Sequence, residues 1–355
     1  MDWPGEKVFT RLIDLLENTA GGFLRPWQIR RVEGANSEAR ARERLILAQA
    51  ERDILDIKSG KKYLDSSGKL LLNSENNLIG GSEVGAEGGG VPEDFSPPFE
   101  SLIGVARDNI YIDEVQKSIN LKKILLFSEE EAEHLDNINS VSSKKDDSQF
   151  DNDWFSKWQN EARNISKEEV QRLWARLLAG EINNPGSYSF RTINFLANIS
   201  TGDIEIISKI SPFITGFGVV KIKDNFFEEK NIKFSDILIM QEMGILNGVD
   251  AIGLNYELNF IEHNNMAVST LTCNNKGLIF ILGPFSTSLK KIEFPIYGLT
   301  KLGKEIISLA KFEANDAYLK EIANMSIENG ATEVQLANYQ AGDIHLTEPK
   351  TIARK

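Results

Sequence analysis

The chain has one cysteine, Cys273, in 355 residues, which excludes an internal disulfide and fits a reducing compartment. Its neighbours Thr272 and Asn274 bring no activating cation, so Cys273 reads as a small half-buried side chain and not as a nucleophile. Histidine is scarce too. His134, His263 and His345 lie far apart, none at ligand spacing from another His or from Cys273, and no metal is expected. No run of about 20 apolar residues occurs, so no conventional transmembrane helix is expected. Lys7, Arg11, Asp14 and Glu17 interrupt the first apolar positions, which removes a signal-peptide pattern and points to a cytoplasmic protein. A Gly-x-x-x-x-Gly-Lys-Ser/Thr loop is missing. Gly80-Gly81 and Gly88-Gly89-Gly90 lack the strand before and the helix after that a phosphate loop needs, so no cofactor is expected. Pairs such as Asp151 with Asp153, or Glu181 with Glu168 and Glu169, are explained by capping and solvated faces. No catalytic residue is assigned, and a non-enzymatic protein is expected.

What is present is uneven. The formal net charge of −12 opposes non-specific attraction to nucleic acid, yet Arg25, Arg30, Arg31, Arg40, Arg42 and Arg44 cluster near the start. From Lys7 to Leu24, Val8, Phe9, Leu12, Ile13, Leu16, Ala20, Phe23 and Leu24 share one helical face, with Lys7, Arg11, Asp14, Glu17 and Asn18 opposite. Pro26 stops this helix beside Trp27. The pattern fits insertion at an anionic bilayer, with Phe9, Leu12, Ile13, Leu16, Phe23 and Trp27 as the inserting face and Arg25, Arg30 and Arg31 as the lipid-facing cations. Packing of the same face on the protein's own body is the competing reading and stays open.

A second helix is predicted from Ser37 to Lys58, where Leu47, Ala50, Ile54 and Ile57 approximate a heptad seam and suggest self-association as a homo-oligomer. Gly60 to Pro98 is rich in Gly, Ser and Asn, reads as a linker, and places the first domain boundary. Leu102 to Asn139 reads as helical and Ser140 to Asn152 as a polar connector.

The stretch from Asp153 to Thr192 is dense in residues that simple amphipathicity does not require. Ser166 and Glu169 form a capping-box pattern, Val170, Leu173, Trp174, Leu177 and Leu178 recur at helical spacing, and Gly180 stands where a C-terminal cap is wanted. Asn183 to Ser187 turns the chain into a second apolar stripe, giving a helical hairpin. Trp154 and Trp158 share a helix face. They fit an aromatic groove for a partner, or core packing against the Trp174 helix, which priors favour. Arg191 would fix the hairpin through Glu181 or Glu161, or receive an anion.

This block resembles a bacterial family known as domain of unknown function 2806. The likeness rests on Leu178-Ala179-Gly180-Glu181, Pro185 to Ser189, and Arg191-Thr192, with Arg25 to Arg31 and Leu299 to Glu305 extending it over most of the chain. The resemblance implies a bacterial cytosolic protein of a sort suspected of defence against phage, and no activity. A phage protein as trigger belongs to that implication.

Ser200 with Asp203 is expected to cap a helix through Ile204, Ile207 and Ile210. A short helix from Ser235 ended by Gly244, strands at Leu254 to Phe260, Leu278 to Leu282 and Ile292 to Tyr297, and a helix from Thr300 give an order similar to a winged helix. The would-be reading helix, Asp236 to Met243, is apolar and acidic, so a packing scaffold is preferred to nucleic-acid binding. Such binding through Lys290-Lys291 is the alternative function. Ala317 onward should add a helix and strands at Glu333 to Leu336 and Asp343 to Leu346.

The expected class is α+β, mainly helical. Its parts are an N-terminal region 1–59, a linker 60–100, a helical domain 101–212, a winged-helix-like module 213–312 and an αβ tail 313–355. The expected function is a non-enzymatic antiphage effector that senses a protein partner, oligomerises, and perturbs the inner membrane from the cytoplasm.

Overall fold

In the computed structural model, which describes residues 37–64, 69–72, 99–139, 150–222, 225–250, 253–284, 291–339 and 347–355, helix α1 spans Ser37–Lys58 as its composition predicts. Its run of Ala, Arg, Glu and Leu contains no helix breaker. Strands β1 (Lys62–Leu64) and β2 (Leu70–Leu72) then pair as a hairpin inside the segment expected to be a linker. Lys62 anchors that hairpin to α1, with Nζ 2.7 Å from Asp53 and 2.9 Å from Asp56. The hydrogen bond from Lys62 holds the Asp53 carboxyl below its ordinary range. Helix α2 follows at Phe99–Asn139, α3 at Asn152–Ala162 and α4 at Glu168–Asn183.

The chain divides into two units, one of Glu6–Glu131 with Asn152–Leu178 and one of Met1–Gly5, Ala132–Asp151 and Ala179–Lys355. Within the first, helical unit, Leu47 and Ile54 of α1 pack with Ile112, Ile119 and Leu126 of α2, and Ala50 and Ile57 join them. The heptad seam read as a self-association surface is occupied by α2 of the same chain. The two helices run antiparallel, because Arg44 pairs with Glu130 and Glu51 with Lys123. Burying each of the two α1 side chains stabilises by about 1.5–3 kcal/mol. Helix α4 lies along α2, where Arg176 Nε sits 3.0 Å from Glu131 and the Arg172 guanidinium covers the Phe127 ring at 4.3 Å.

The second unit mixes helices and antiparallel sheet. Helix α5 is Phe190–Asn198 and α6 is Thr201–Ile210. Helix α6 has the expected capping box, with Ser200 Oγ accepting from Asp203 N–H at 3.1 Å and Asp203 accepting from Ser200 N–H at 2.9 Å. Then come β3 (Gly218–Val220), α7 (Phe226–Glu229), α8 (Phe234–Glu242), β4 (Leu246–Asn247) and β5 (Leu254–Glu257). Strands β6 (Ile261–His263), β7 (Met266–Cys273), β8 (Lys276–Pro284) and β9 (Glu293–Leu299) precede α9 (Lys301–Ser308) and α10 (Asp316–Glu328). Strands β10 (Glu333–Asn338) and β11 (Thr347–Arg354) close the chain.

Strand β9 is the hub of one sheet, pairing with β3, β4 and β5. The other sheet has the order β11-β10-β8-β7-β6. The order expected of a winged helix is thus interrupted, because between β5 and β9 the chain leaves to build three strands of the second sheet. Within residues 313–355, β10 runs along β8 from Glu333↔Ile281 to Asn338↔Lys276. The final strand lies at Thr347–Arg354, and Asp343 to Leu346 fall outside the described residues. Strand β7 has no sequence expectation behind it. It is set by a two-residue turn at Asn264 (φ 51°) and Asn265 (φ 63°), the left-handed pair that matches strand twist. Tyr318 is fully buried, its ring edge-on to Phe213 at 5.4 Å and its hydroxyl accepting from Val220 N–H at 2.6 Å.

Candidate functional site

Two buried carboxylates meet on one loop of the second unit. Glu181 stands on the last turn of α4, and the chain then reverses through Asn183 to Ser187, where Gly186 takes φ +86°. Glu181 Oε1 accepts from Gly186 N–H at 2.6 Å and Oε2 from Tyr188 N–H at 2.8 Å. Glu305, from α9, supplies the next acceptor. Its Oε2 takes Ser189 N–H at 2.9 Å, the Ser189 hydroxyl at 2.8 Å, and the Thr192 hydroxyl. Ser189 is the N-cap of α5 but makes no side-chain cap bond of its own, so a carboxylate from a distant helix provides the negative charge that a helix N-terminus favours. Thr300 Oγ1 in turn caps α9 by accepting from Gly303 N–H at 2.9 Å.

Tyr188 completes the arrangement. Its hydroxyl is 3.3 Å from Ser308 Oγ, and its ring lies across Gly180, where a Cβ would sit 2.7 Å from Tyr188 Cε2. Gly180 is therefore not a C-terminal cap. It is inside α4, without positive φ, and is small because an aromatic ring covers it. Gly180→Ala is expected to destabilise the unit by about 1–3 kcal/mol through overpacking, measured by chemical denaturation. Ser166 is not a cap either. The first backbone bond of α4 runs from Gln171 N–H to Lys167 C=O, and the Gln171 side chain ties down Ile165 C=O at 2.8 Å.

Burial raises the Glu181 pKa above its ordinary 4.5, opposed by the amides of Gly186 and Tyr188 and reinforced by the charge of Glu305. Burial likewise raises the Tyr188 phenol. Glu305 Oε1 has no hydrogen-bond partner among the described residues, and Lys301 Nζ stands 3.9 Å away. No group of three His, Cys, Asp or Glu among the described residues would hold a metal. The loop's own donors occupy both oxygens of Glu181 and Oε2 of Glu305, so the arrangement fixes the turn.

The other expected site residues fall elsewhere. Phe9, Leu12, Ile13, Leu16, Phe23, Arg25, Trp27, Arg30 and Arg31 lie outside the described residues. Trp154 and Trp158 are 2% and 0% exposed, and Trp158 stacks on Phe155 at 5.6 Å and donates its indole N–H to Trp174 C=O at 3.2 Å. Core packing, not a surface groove, is the arrangement these two indoles adopt. Arg191 is exposed and touches neither expected acid, since Glu181 is taken by the turn and Glu161 faces Lys157 at 3.6 Å. Cys273 is fully buried, its thiol pushed up to about 12 by desolvation. In α8, the Gln241 amide is occupied by Val249 N–H at 2.7 Å and Asp250 at 2.9 Å. Asp236 takes Lys209 at 2.6 Å, and Lys291 pairs with Glu257 at 2.8 Å, while Lys290 lies outside the described residues.

Fold and site define a mixed α+β protein whose two most distinctive sequence blocks, Leu178 to Thr192 and Leu299 to Glu305, converge on one carboxylate-held loop. Residues 107–323 match the family model described as Protein of unknown function (DUF2806), and the chain belongs to that family. Both blocks lie inside the matched span, whereas Arg25 to Arg31 lie outside it. No curated protein matches the chain, and no solved structure does.

Proposed function

We propose that the protein is a non-enzymatic, bacterial defence-type effector whose body responds to a protein partner, which self-associates, and whose N-terminal region perturbs the inner membrane. One observation carries this reading. Of the eleven large apolar side chains exposed among the described residues, seven, Leu45, Ile46, Leu55, Tyr63, Leu72, Ile110 and Tyr111, belong to the helical unit, and four, Phe190, Phe234, Leu254 and Ile261, to the second unit. Apolar surface concentrated in this way marks contact with a partner or a membrane. No helix among the described residues is long and apolar enough to cross a bilayer, so the proposed action is insertion at the interface.

Dye release from anionic liposomes tests the proposal. The full chain is expected to cause release with growth of a larger assembly, and Leu12→Asp with Leu16→Asp to abolish release while circular dichroism stays unchanged. Equal release by the double variant would sink the proposal.

A further inference from the structure

Helix α1 carries two stripes. The inner one, Leu47, Ala50, Ile54 and Ile57, is consumed by α2. The outer one, Ala41, Leu45, Ala48, Arg52 and Leu55, advances in alternating steps of four and three residues and is exposed at every position, with Leu45 at 72% and Leu55 at 65%. The apolar surface continues onto the hairpin. Leu72 stands directly across from Lys62, so the two share a face, and Leu72 remains 72% exposed while Lys62 reaches Asp53 and Asp56 of α1.

The charges of α1 are sorted in the same way. Glu51 is held by Lys123 of α2, and Asp53 and Asp56 are held by Lys62. Glu43 lies half-buried on the inner stripe, four residues before Leu47. Arg52 stands in the middle of the outer stripe with no partner among the described residues, and Arg42, three residues before Leu45, is exposed beside it. These ion pairs spend the acids within the unit, so the outer face presents cations between leucines.

We infer that this outer face of α1, together with Leu72, docks on an anionic lipid surface. The inference rests on the membrane reading proposed above and adds to it a surface within the described residues. Three considerations select a bilayer. A second copy would set the same arginines opposite them, so the face repels its own image. A helix backed by α2 is convex along the ~21 Å from Ala41 to Leu55, and a fluid headgroup layer moulds to a convex face where a folded acidic protein needs a matching groove. Arginine extends its charged head to phosphates while its stem lies along the leucines. The chain as a whole carries −12, so a locally cationic face also sets which side meets an anionic surface.

Sedimentation of the full chain with vesicles containing phosphatidylglycerol, beside vesicles of phosphatidylcholine alone, tests it. The unaltered chain is expected to sediment with the first and stay in solution with the second. Leu45→Glu with Leu55→Glu, both at exposed positions that spare the α1–α2 core, should weaken binding roughly tenfold or more, as should Arg52→Glu alone, each with an unchanged urea midpoint. Unchanged binding in either variant, equal binding to the neutral vesicles, or no sedimentation at all would overturn the inference. So would two other results: retention of polyglutamate in place of vesicles, lost in Arg52→Glu, which assigns the face to an acidic protein, and a lipid-free gain in mass lost in the leucine variant, which places a second copy there. Dye release separates this inference from the function it rests on. Binding that the α1 variants lose, with no release by any form, keeps the docking face and rejects the effector. Binding lost only in Leu12→Asp with Leu16→Asp keeps a membrane role and rejects this face.

Discussion

Alanine in place of Glu305 is expected to lower the stability of the α/β unit by about 2–4 kcal/mol, the scale of losing charge-assisted hydrogen bonds while leaving their donors buried. The donors are Ser189 N–H, the Ser189 hydroxyl and the hydroxyl of Thr192, which is 0% exposed. The loss is partly offset because Oε1 no longer has to be desolvated without a hydrogen bond. Glu305→Gln keeps one acceptor and should lose about 1 kcal/mol. The pH profile adds a second readout. Because the folded-state pKa of Glu181 is raised, its contribution is present below 4.5 and lost as pH rises through the folded value. Removing the neighbouring charge of Glu305 should shrink that loss. Urea unfolding at several pH values measures both, and an unchanged midpoint for Glu305→Ala would contradict the brace.

The second large effect is expected in the helical unit. Trp158 is 0% exposed, stacked on Phe155 and 6.4 Å from the Trp174 ring, with its indole N–H on Trp174 C=O. Trp158→Ala should therefore destabilise by about 3–5 kcal/mol, because the cavity is bounded by rings that cannot collapse into it and a backbone carbonyl loses its donor. The near-ultraviolet circular dichroism of the remaining indoles should fall in parallel. If Trp158 lay on an exposed partner groove, the same substitution would leave stability almost unchanged, so one unfolding curve separates the two arrangements.

Much of this was legible from residue patterns, and the failures are informative. Helix α1 and the Ser200–Asp203 box follow from local rules, and the structure keeps both because nothing tertiary competes with them. The seam of α1 was correctly found and wrongly assigned, since periodicity says that a face is buried but not by what. Gly180 misled for a related reason. A glycine near a helix end suits a cap, and only the fold brings Tyr188 over it. The carboxylate brace did have a signal. Glu181 follows Trp174, Leu177 and Leu178 on one stripe of α4, and Glu305 shares a stripe of α9 with Leu302, Ile306 and Leu309. A charge standing on an apolar stripe is buried and must find donors. Glu181 finds its donors within the next turn, but those of Glu305 lie more than a hundred positions away, and no local pattern encodes that contact.

That separation bears on the order of events as the chain is made. Glu181 can take the amides of Gly186 and Tyr188 as soon as the turn emerges from the ribosome. The amide of Ser189 and the hydroxyl of Thr192 must wait for Glu305, and β3, β4 and β5 must wait for the β9 strand that joins them. A nascent chain halted before Lys301 would therefore carry a half-tied turn, and its sheet would lock late, after long loops had closed.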